Sequence, residues 1–303
     1  MPPKTTLPTR CSPLASQLTQ NVHSYLSTTW TFSSEKYKAA FFAMDFPRLI
    51  ALFCPDGPLD RLESAALFVC LTGILDDAFS QISVSESRII GKKLLAIMQG
   101  SEPADPSIPL EKILHKIISD MNSQNPVLAK DVINGAIALF LAQTAKERLD
   151  VMQLDEYFAF RVRDVGGEFF LSLTRFVNNI HIPTPQLPKF QPLEEPIIKH
   201  MILANDILSW VKELKEAGES NQEGAAVCSA VPIVARNLGI GFEGARRVLW
   251  VACRELEGVF LGQVGELDGV GVGKEGERYI EALGYLASGN EEWSRTTSRY
   301  RVD

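Results

Sequence analysis

Asn205-Asp-Ile-Leu-Ser-Trp-Val-Lys-Glu213 places an amide, a hydroxyl and a carboxylate four residues apart, at Asn205, Ser209 and Glu213. At 3.6 residues per turn, each step drifts about 40° and climbs about 6 Å, so the three side chains share one stripe of an α-helix. All three offer oxygen. Such a set suits a hard cation such as Mg²⁺, which keeps some waters and takes further ligands from a phosphate. Lys212 precedes the glutamate and can reach the same phosphate. Taken alone, the stripe reads more readily as the polar face of an ordinary amphipathic helix. Its meaning depends on the rest of the chain.

Helical spacing continues on both sides. The helix that carries the stripe is expected over 193–215, after a proline-rich connection at 183–192. Upstream, helices are expected over 13–27, 42–53, 59–77, 85–98, 110–121, 126–148 and 154–176, the last interrupted at Gly166-Gly167. Residues 65–71 are apolar on nearly all sides, as a helix in the middle of a bundle should be. Downstream, 225–237, 242–261 and 278–287 are helical, 217–224 and 262–276 are polar or glycine-rich loops, and 289–303 is a final polar segment. There is no β alternation and no βαβ rhythm. The expected fold class is all-α, a bundle of ten or so helices around an apolar cavity. Residues 1–14, rich in Pro, Thr and Ser, read as a mobile N-terminal arm, and 15–303 as one domain.

Composition narrows the function. The chain has 303 residues, 46% of them hydrophobic and 22% charged, which excludes disorder and allows a sizeable core. A net charge of −7 and the lack of a basic stripe argue against nucleic acid. A polyanionic ligand would need metal ions to bridge like charges. Five cysteines (Cys11, Cys54, Cys70, Cys228, Cys253) form neither a disulfide framework nor a zinc pattern. The four histidines lie far apart and read as surface or packing residues. The N-terminus has no apolar core, and the longest nearly apolar run, 65–75, is too short to cross a bilayer. The expectation is a cytoplasmic protein with no membrane insertion; a homo-oligomer stays open.

Three further clusters can carry chemistry. Asp76-Asp77 closes the most apolar helix, where two carboxylates are costly unless a cation pairs them or the helix emerges into water. Arg161, Arg163 and Asp164 precede the Gly166-Gly167 break, where an arginine could hold phosphate oxygens bidentately or simply pair with Asp164 on the surface. Trp293, Arg299 and Tyr300 stand in the polar C-terminal segment, which alone reads as solvated. Gly269-Val-Gly-Val-Gly-Lys274 has the wrong spacing for a phosphate loop and no preceding strand.

Together these pieces resemble a class I terpene cyclase, most closely the fungal aristolochene synthase family. The resemblance is densest in residues 157–166 and 205–213, in Cys228-Ser-Ala-Val with Arg247-Val-Leu-Trp and Arg254-Glu-Leu-Glu, and in residues 288–300. It implies the α-helical terpenoid synthase fold, farnesyl diphosphate as substrate and three Mg²⁺ ions. By the same resemblance Asn205, Ser209 and Glu213 hold one ion and Asp76 bridges the other two. Asp77 pairs with Arg299 on closure, and Arg161, Lys212, Arg299 and Tyr300 bind diphosphate. Aromatic rings attract cations. Phe53, Phe140 and Trp293 are the candidates for the cavity wall, and a plain core role is open for each of them.

The expected function is a sesquiterpene cyclase that ionises farnesyl diphosphate. The alternatives are a relative that captures the prenyl cation with water or an added nucleophile, and a catalytically dead helical binding protein. Two departures from the family pattern stand out. Ser80 occupies the place of the third acidic residue of the aspartate-rich motif. Gly73 and Leu139 stand where phenylalanines are expected, which should enlarge the pocket and give a product other than aristolochene.

Overall fold

The structure, a computed structural model, describes residues 4–79, 82–143, 153–219, 227–267 and 271–301. Thirteen α-helices lie among them: α1 (Ala15–Thr29), α2 (Glu35–Ala43), α3 (Phe46–Phe53), α4 (Leu59–Phe79), α5 (Val84–Met98), α6 (Pro109–Gln124), α7 (Pro126–Gln143), α8 (Leu154–Asp164), α9 (Gly167–Asn178), α10 (Gln191–Glu219), α11 (Ala230–Leu238), α12 (Phe242–Glu266) and α13 (Gly273–Thr296). Short 3-10 helices occupy Thr184–Lys189 and Ser298–Tyr300. No strand occurs among the described residues. The all-α bundle inferred from periodicity is the observed architecture.

Local chemistry sets many of the boundaries. Ser34 caps α2 by accepting from Tyr37 N at 3.0 Å, and Ser83 and Glu86 form a reciprocal capping box at the start of α5. Proline stands in the first turn of α3 and of α6, where its missing N–H costs nothing. α4 is the buried centre: every residue from Ser64 to Leu71 is buried, and the helix packs on α1, α3, α6 and α9. α10 packs on α12 and α13, and α13 on α3, so the helix with the oxygen stripe lies against the one that carries the C-terminal motif. α7 is long and apolar enough to span a membrane, with mean hydropathy 1.2, but it is half buried and packs on α9 and α6 as a bundle helix.

The sequence reading does not anticipate α2, and it differs from the structure in three further places. The helix expected over 42–53 breaks at Met44-Asp45, where Asp45 is left-handed (φ 55°). Trp293 Nε1 donates to the carbonyls of Met44 and Asp45, both at 3.0 Å, so a partner remote in sequence fixes this break. Second, both ends of the stretch expected as the loop 262–276 are helical, as is most of the described tail: α12 runs to Glu266 and α13 from Gly273 to Thr296, and residues 268–270 lie outside the described residues. Gly258, Gly262 and Gly265 face open space, and exposed helical glycines cost about 1 kcal/mol each without breaking a helix. Third, the 1–14 arm is anchored over its described part. Leu7 and Ser12 are buried, Thr5 Oγ1 and Thr6 Oγ1 donate to Glu257 at 2.6 and 2.8 Å, and Ser288 Oγ donates to Pro8 O at 2.6 Å.

Candidate active site

The C-terminal end of α4, the break between α8 and α9, the middle of α10 and the end of α13 surround a cavity of about 220 Å³. Its inner wall is apolar, with Leu49, Val69, Leu139, Phe170 and Met201. Its other lining brings together the oxygen stripe, Asp76-Asp77, Arg161, Lys212, Arg299 and Tyr300. Residues as distant in sequence as Phe46 and Tyr300 thus meet at one site.

On α10, Ser209 Oγ donates to Glu213 Oε1 at 2.6 Å, which is the convergence expected of side chains one turn apart. Asn205 Nδ2 donates to Tyr300 Oη at 2.7 Å, and Asn205 Oδ1 accepts from Arg161 Nη2 at 3.1 Å. Lys212 Nζ donates to Glu216 at 2.9 Å. On the opposite side Arg299 donates to Asp76 at 2.6 Å and to Asp77 at 3.1 Å. The pairing with Asp76 and the hydrogen bond from Tyr37 Oη to Asp77 at 3.0 Å were not anticipated from sequence. The Asp76 side chain is 48% exposed, so α4 emerges into the cavity there and the carboxylate stays solvated. Ser80 and Gln81 lie outside the described residues.

Arg161 is buried, not a surface arginine, whereas Arg163 is exposed. It pairs with Asp164 and lies 3.5 Å from Asp206, a residue the sequence reading passed over. Asp206 also accepts from Tyr157 Oη and from Ala230 N at 2.8 Å, tying α8 and α11 to α10. Burial pushes the Asp206 carboxyl up to about 7 against the pull of Arg161. For Arg299, burial opposes the charged form, but Asp77 and Asp76 outweigh it and raise the guanidinium further. Gly166 makes the chain turn between α8 and α9 with φ 81°, a left-handed conformation natural to glycine. The turn lets Arg161 and Phe170 line the same cavity from two helices.

The aromatic wall departs from expectation. Trp293 lines the cavity. Phe53 and Phe140, 2% and 1% exposed, are buried in the core and are not lining residues; Phe53 stands edge-on behind Phe170, centroids 5.6 Å apart. Phe46, Phe79 and Phe170 are the phenylalanines that line the cavity with Trp293 and Tyr300, and helical periodicity alone could not single them out among 16 phenylalanines. Gly73 leaves no hole, because the Phe46 ring fills the space beside it. The histidines also include one exception to the packing role: His200, buried, lies 3.2 Å from Glu257 and 3.4 Å from Glu291.

The donor set fits divalent metal and diphosphate. Asn205, Ser209, Glu213 and Asp76 supply only oxygen to one cavity, the chemistry of a hard cation. Arg161 Nε is buried and has no hydrogen-bond partner, so it is a donor available to an anion. The family described as "Terpene synthase family 2, C-terminal metal binding" matches residues 67–257. An aristolochene synthase of Aspergillus terreus is 32% identical over 302 residues, covering 99% of this chain and 94% of its own length. The crystal structure of aristolochene synthase from Penicillium roqueforti superposes with a TM-score of 0.87 at 29% identity, covering 98% of this chain and all of that one. A linalool/nerolidol synthase from Streptomyces clavuligerus shares the fold alone, with a TM-score of 0.82 at 14% identity over 97% of this chain and 100% of that one.

Proposed function

Since the chain belongs to terpene synthase family 2, with its metal-binding region, we propose that it is a sesquiterpene cyclase that ionises farnesyl diphosphate and cyclises the cation. It is a class I terpene synthase, and divalent metal use follows from the family. The identity of the metal as Mg²⁺, its number as three, and the residue roles are part of the proposal. The observation that carries it is that Asp76, Asn205, Ser209 and Glu213 line one cavity together with Arg161, Lys212, Arg299 and Tyr300 and with apolar side chains.

In this reading Asn205, Ser209 and Glu213 would hold one ion, and Asp76 would supply oxygen to the others. Bound metal supplies charge to the diphosphate oxygens and makes diphosphate a better leaving group. Arg161, Lys212, Arg299 and Tyr300 then orient and stabilise that leaving group. Each is already held by a protein acceptor or donor within the site, so binding exchanges one polar partner for another. Arg299 in particular can pass from Asp76 to a phosphate while keeping Asp77, which brings α4 and the C-terminal segment together over the site. Closure excludes water, which would otherwise trap the cation. The apolar wall folds the prenyl chain.

The test is release of diphosphate from farnesyl diphosphate with and without Mg²⁺, with gas-chromatographic analysis of the volatiles. The proposal expects Mg²⁺-dependent release and a cyclic C15 product. Asn205→Ala, Ser209→Ala and Glu213→Ala should each lower turnover by about 100-fold or more, because each removes an interaction that serves the ionisation step. Wild-type rates in any folded variant overturn that residue's assignment, and no release by the native chain overturns the proposal.

A further inference from the structure

Phe46 opens α3 directly after the left-handed Asp45, and its ring enters the cavity over Gly73. A Cβ on Gly73 would lie 2.7 Å from Phe46 Cε2 and Cζ, closer than carbon atoms pack. The ring therefore occupies the space that a side chain at 73 would need. Its other sides are fixed as well. Trp293 stacks on it with centroids 5.5 Å apart and planes 27° from parallel, and Phe41 stands 5.6 Å away. The Met44 and Asp45 carbonyls just before it accept from Trp293 Nε1, and Met44 O also accepts from Thr297 Oγ1 at 2.8 Å. Position and orientation are thus set by α13 and by the absence of a side chain on α4.

We propose that Phe46, seated in the space left by Gly73, is a specificity-determining ring of the cyclisation. Its face stabilises positive charge near the diphosphate end of the prenyl chain and thereby selects among ring closures. This rests on the cyclase reading above. The face already stands near a cation, since Arg299 Cζ lies 5.6 Å from its centroid, and Asp76 and Arg299 line the same cavity. A ring face favours a nearby cation electrostatically and more strongly where water is excluded. Cations whose charge sits elsewhere gain less. Removing the face changes the partition between competing products by about 2- to 30-fold, the range a cation–π contact spans. Gly73 thus supplies the seat for the Phe46 ring rather than extra volume.

Two substitutions separate this from a merely structural role. Phe46→Leu keeps much of the bulk and removes the ring face. Gly73→Ala keeps the ring and forces it off its seat. The expected result, with farnesyl diphosphate and Mg²⁺, is a change in product ratios in the same direction for both. Their effects should not add in the double variant, because they act through one contact. Phe46→Tyr, which retains a ring, should stay closer to the native ratios. Thermal unfolding of each variant is followed in parallel. If Phe46→Leu fails to fold, Gly73→Ala carries the test, with the aromatic side chain still present. Unchanged product ratios in folded, active variants overturn the role of Phe46 and leave the cyclase reading standing. An inert native chain overturns both.

Discussion

Asp206 is the residue whose importance only three dimensions reveal. It sits one position after Asn205 and off the oxygen stripe, so spacing gives it no role. In the structure it is fully buried and engages Arg161, Tyr157 and Ala230 N, which makes it a positioning residue for Arg161. Asp206→Asn keeps the shape and removes the charge. It should lower turnover by about 10- to 100-fold, as loss of a partner behind a functional group does, and raise KM for the diphosphate substrate. Steady-state kinetics check this, and an unchanged KM with unchanged kcat would falsify it. Arg161→Ala is the less informative variant: it removes a buried cation from beside Asp164 and Asp206, at about 3–5 kcal/mol. Its lost activity would then mix catalysis with folding. Asn205, Ser209 and Glu213 were legible because a helix repeats in sequence what it repeats in space. Phe53 and Phe140 were misplaced because an aromatic residue on a buried helix faces either core or cavity, and one helix's periodicity cannot distinguish the two.

At the scale of elements, the break between α8 and α9 was readable and the one between α2 and α3 was not. Gly166-Gly167 announces its own turn, because a left-handed residue inside a helical pattern calls for glycine. At Met44-Asp45 the signal lies 248 to 249 residues away, in the Trp293 indole that binds both carbonyls. The reverse error occurred in 262–276, where glycines exposed on α12 resembled a loop. Gly166→Ala tests the break. An alanine there must hold φ near 81° and place its Cβ 3.3 Å from Leu139 Cδ2. The left-handed conformation alone costs about 1–2 kcal/mol. The variant should lose about that much stability by denaturant unfolding, and its turnover should fall because α8 carries Arg161 into the site. A variant as stable as the native chain would show that the backbone at 166 relaxes freely.

Across the whole molecule, the helices behind the site are joined by a buried charge cluster that also holds the N-terminal segment. His200 on α10 meets Glu257 on α12 and Glu291 on α13. Arg254 pairs with both glutamates, Arg295 with Glu291 at 2.8 Å, and Thr5 and Thr6 donate to Glu257. Met201 and Asn290, the chain neighbours of His200 and Glu291, line the cavity, so this cluster fixes the spacing of α10 and α13 at the active site. The sequence hides it, since its members come from positions near 5, 200, 254, 257 and 291. Burial disfavours the His200 imidazolium, but the hydrogen bonds and charges of Glu257 and Glu291 outweigh it and raise His200 above its ordinary 6.5. Burial likewise works against the Glu257 carboxylate, and the donors from His200, Thr5 and Thr6 prevail and hold it down at about 2, from 4.5. Glu291 is also lowered from 4.5, its burial outweighed by His200 and Arg254. The signs then fix a window. A raised histidine stabilises fully below 6.5 and loses its contribution as pH rises through its folded value. Lowered glutamates stabilise fully above 4.5 and lose it as pH falls, for Glu257 through about 2. The cluster should therefore contribute most to stability between pH 4.5 and 6.5. Glu257→Gln should cost about 1–3 kcal/mol, because it removes one of the two carboxylates that face His200 and Arg254 and leaves them Glu291, and should weaken the decline of melting temperature above pH 6.5. Melting curves of both proteins across pH 4 to 9 make the comparison; parallel pH profiles for the two would show that His200 draws its charge from elsewhere.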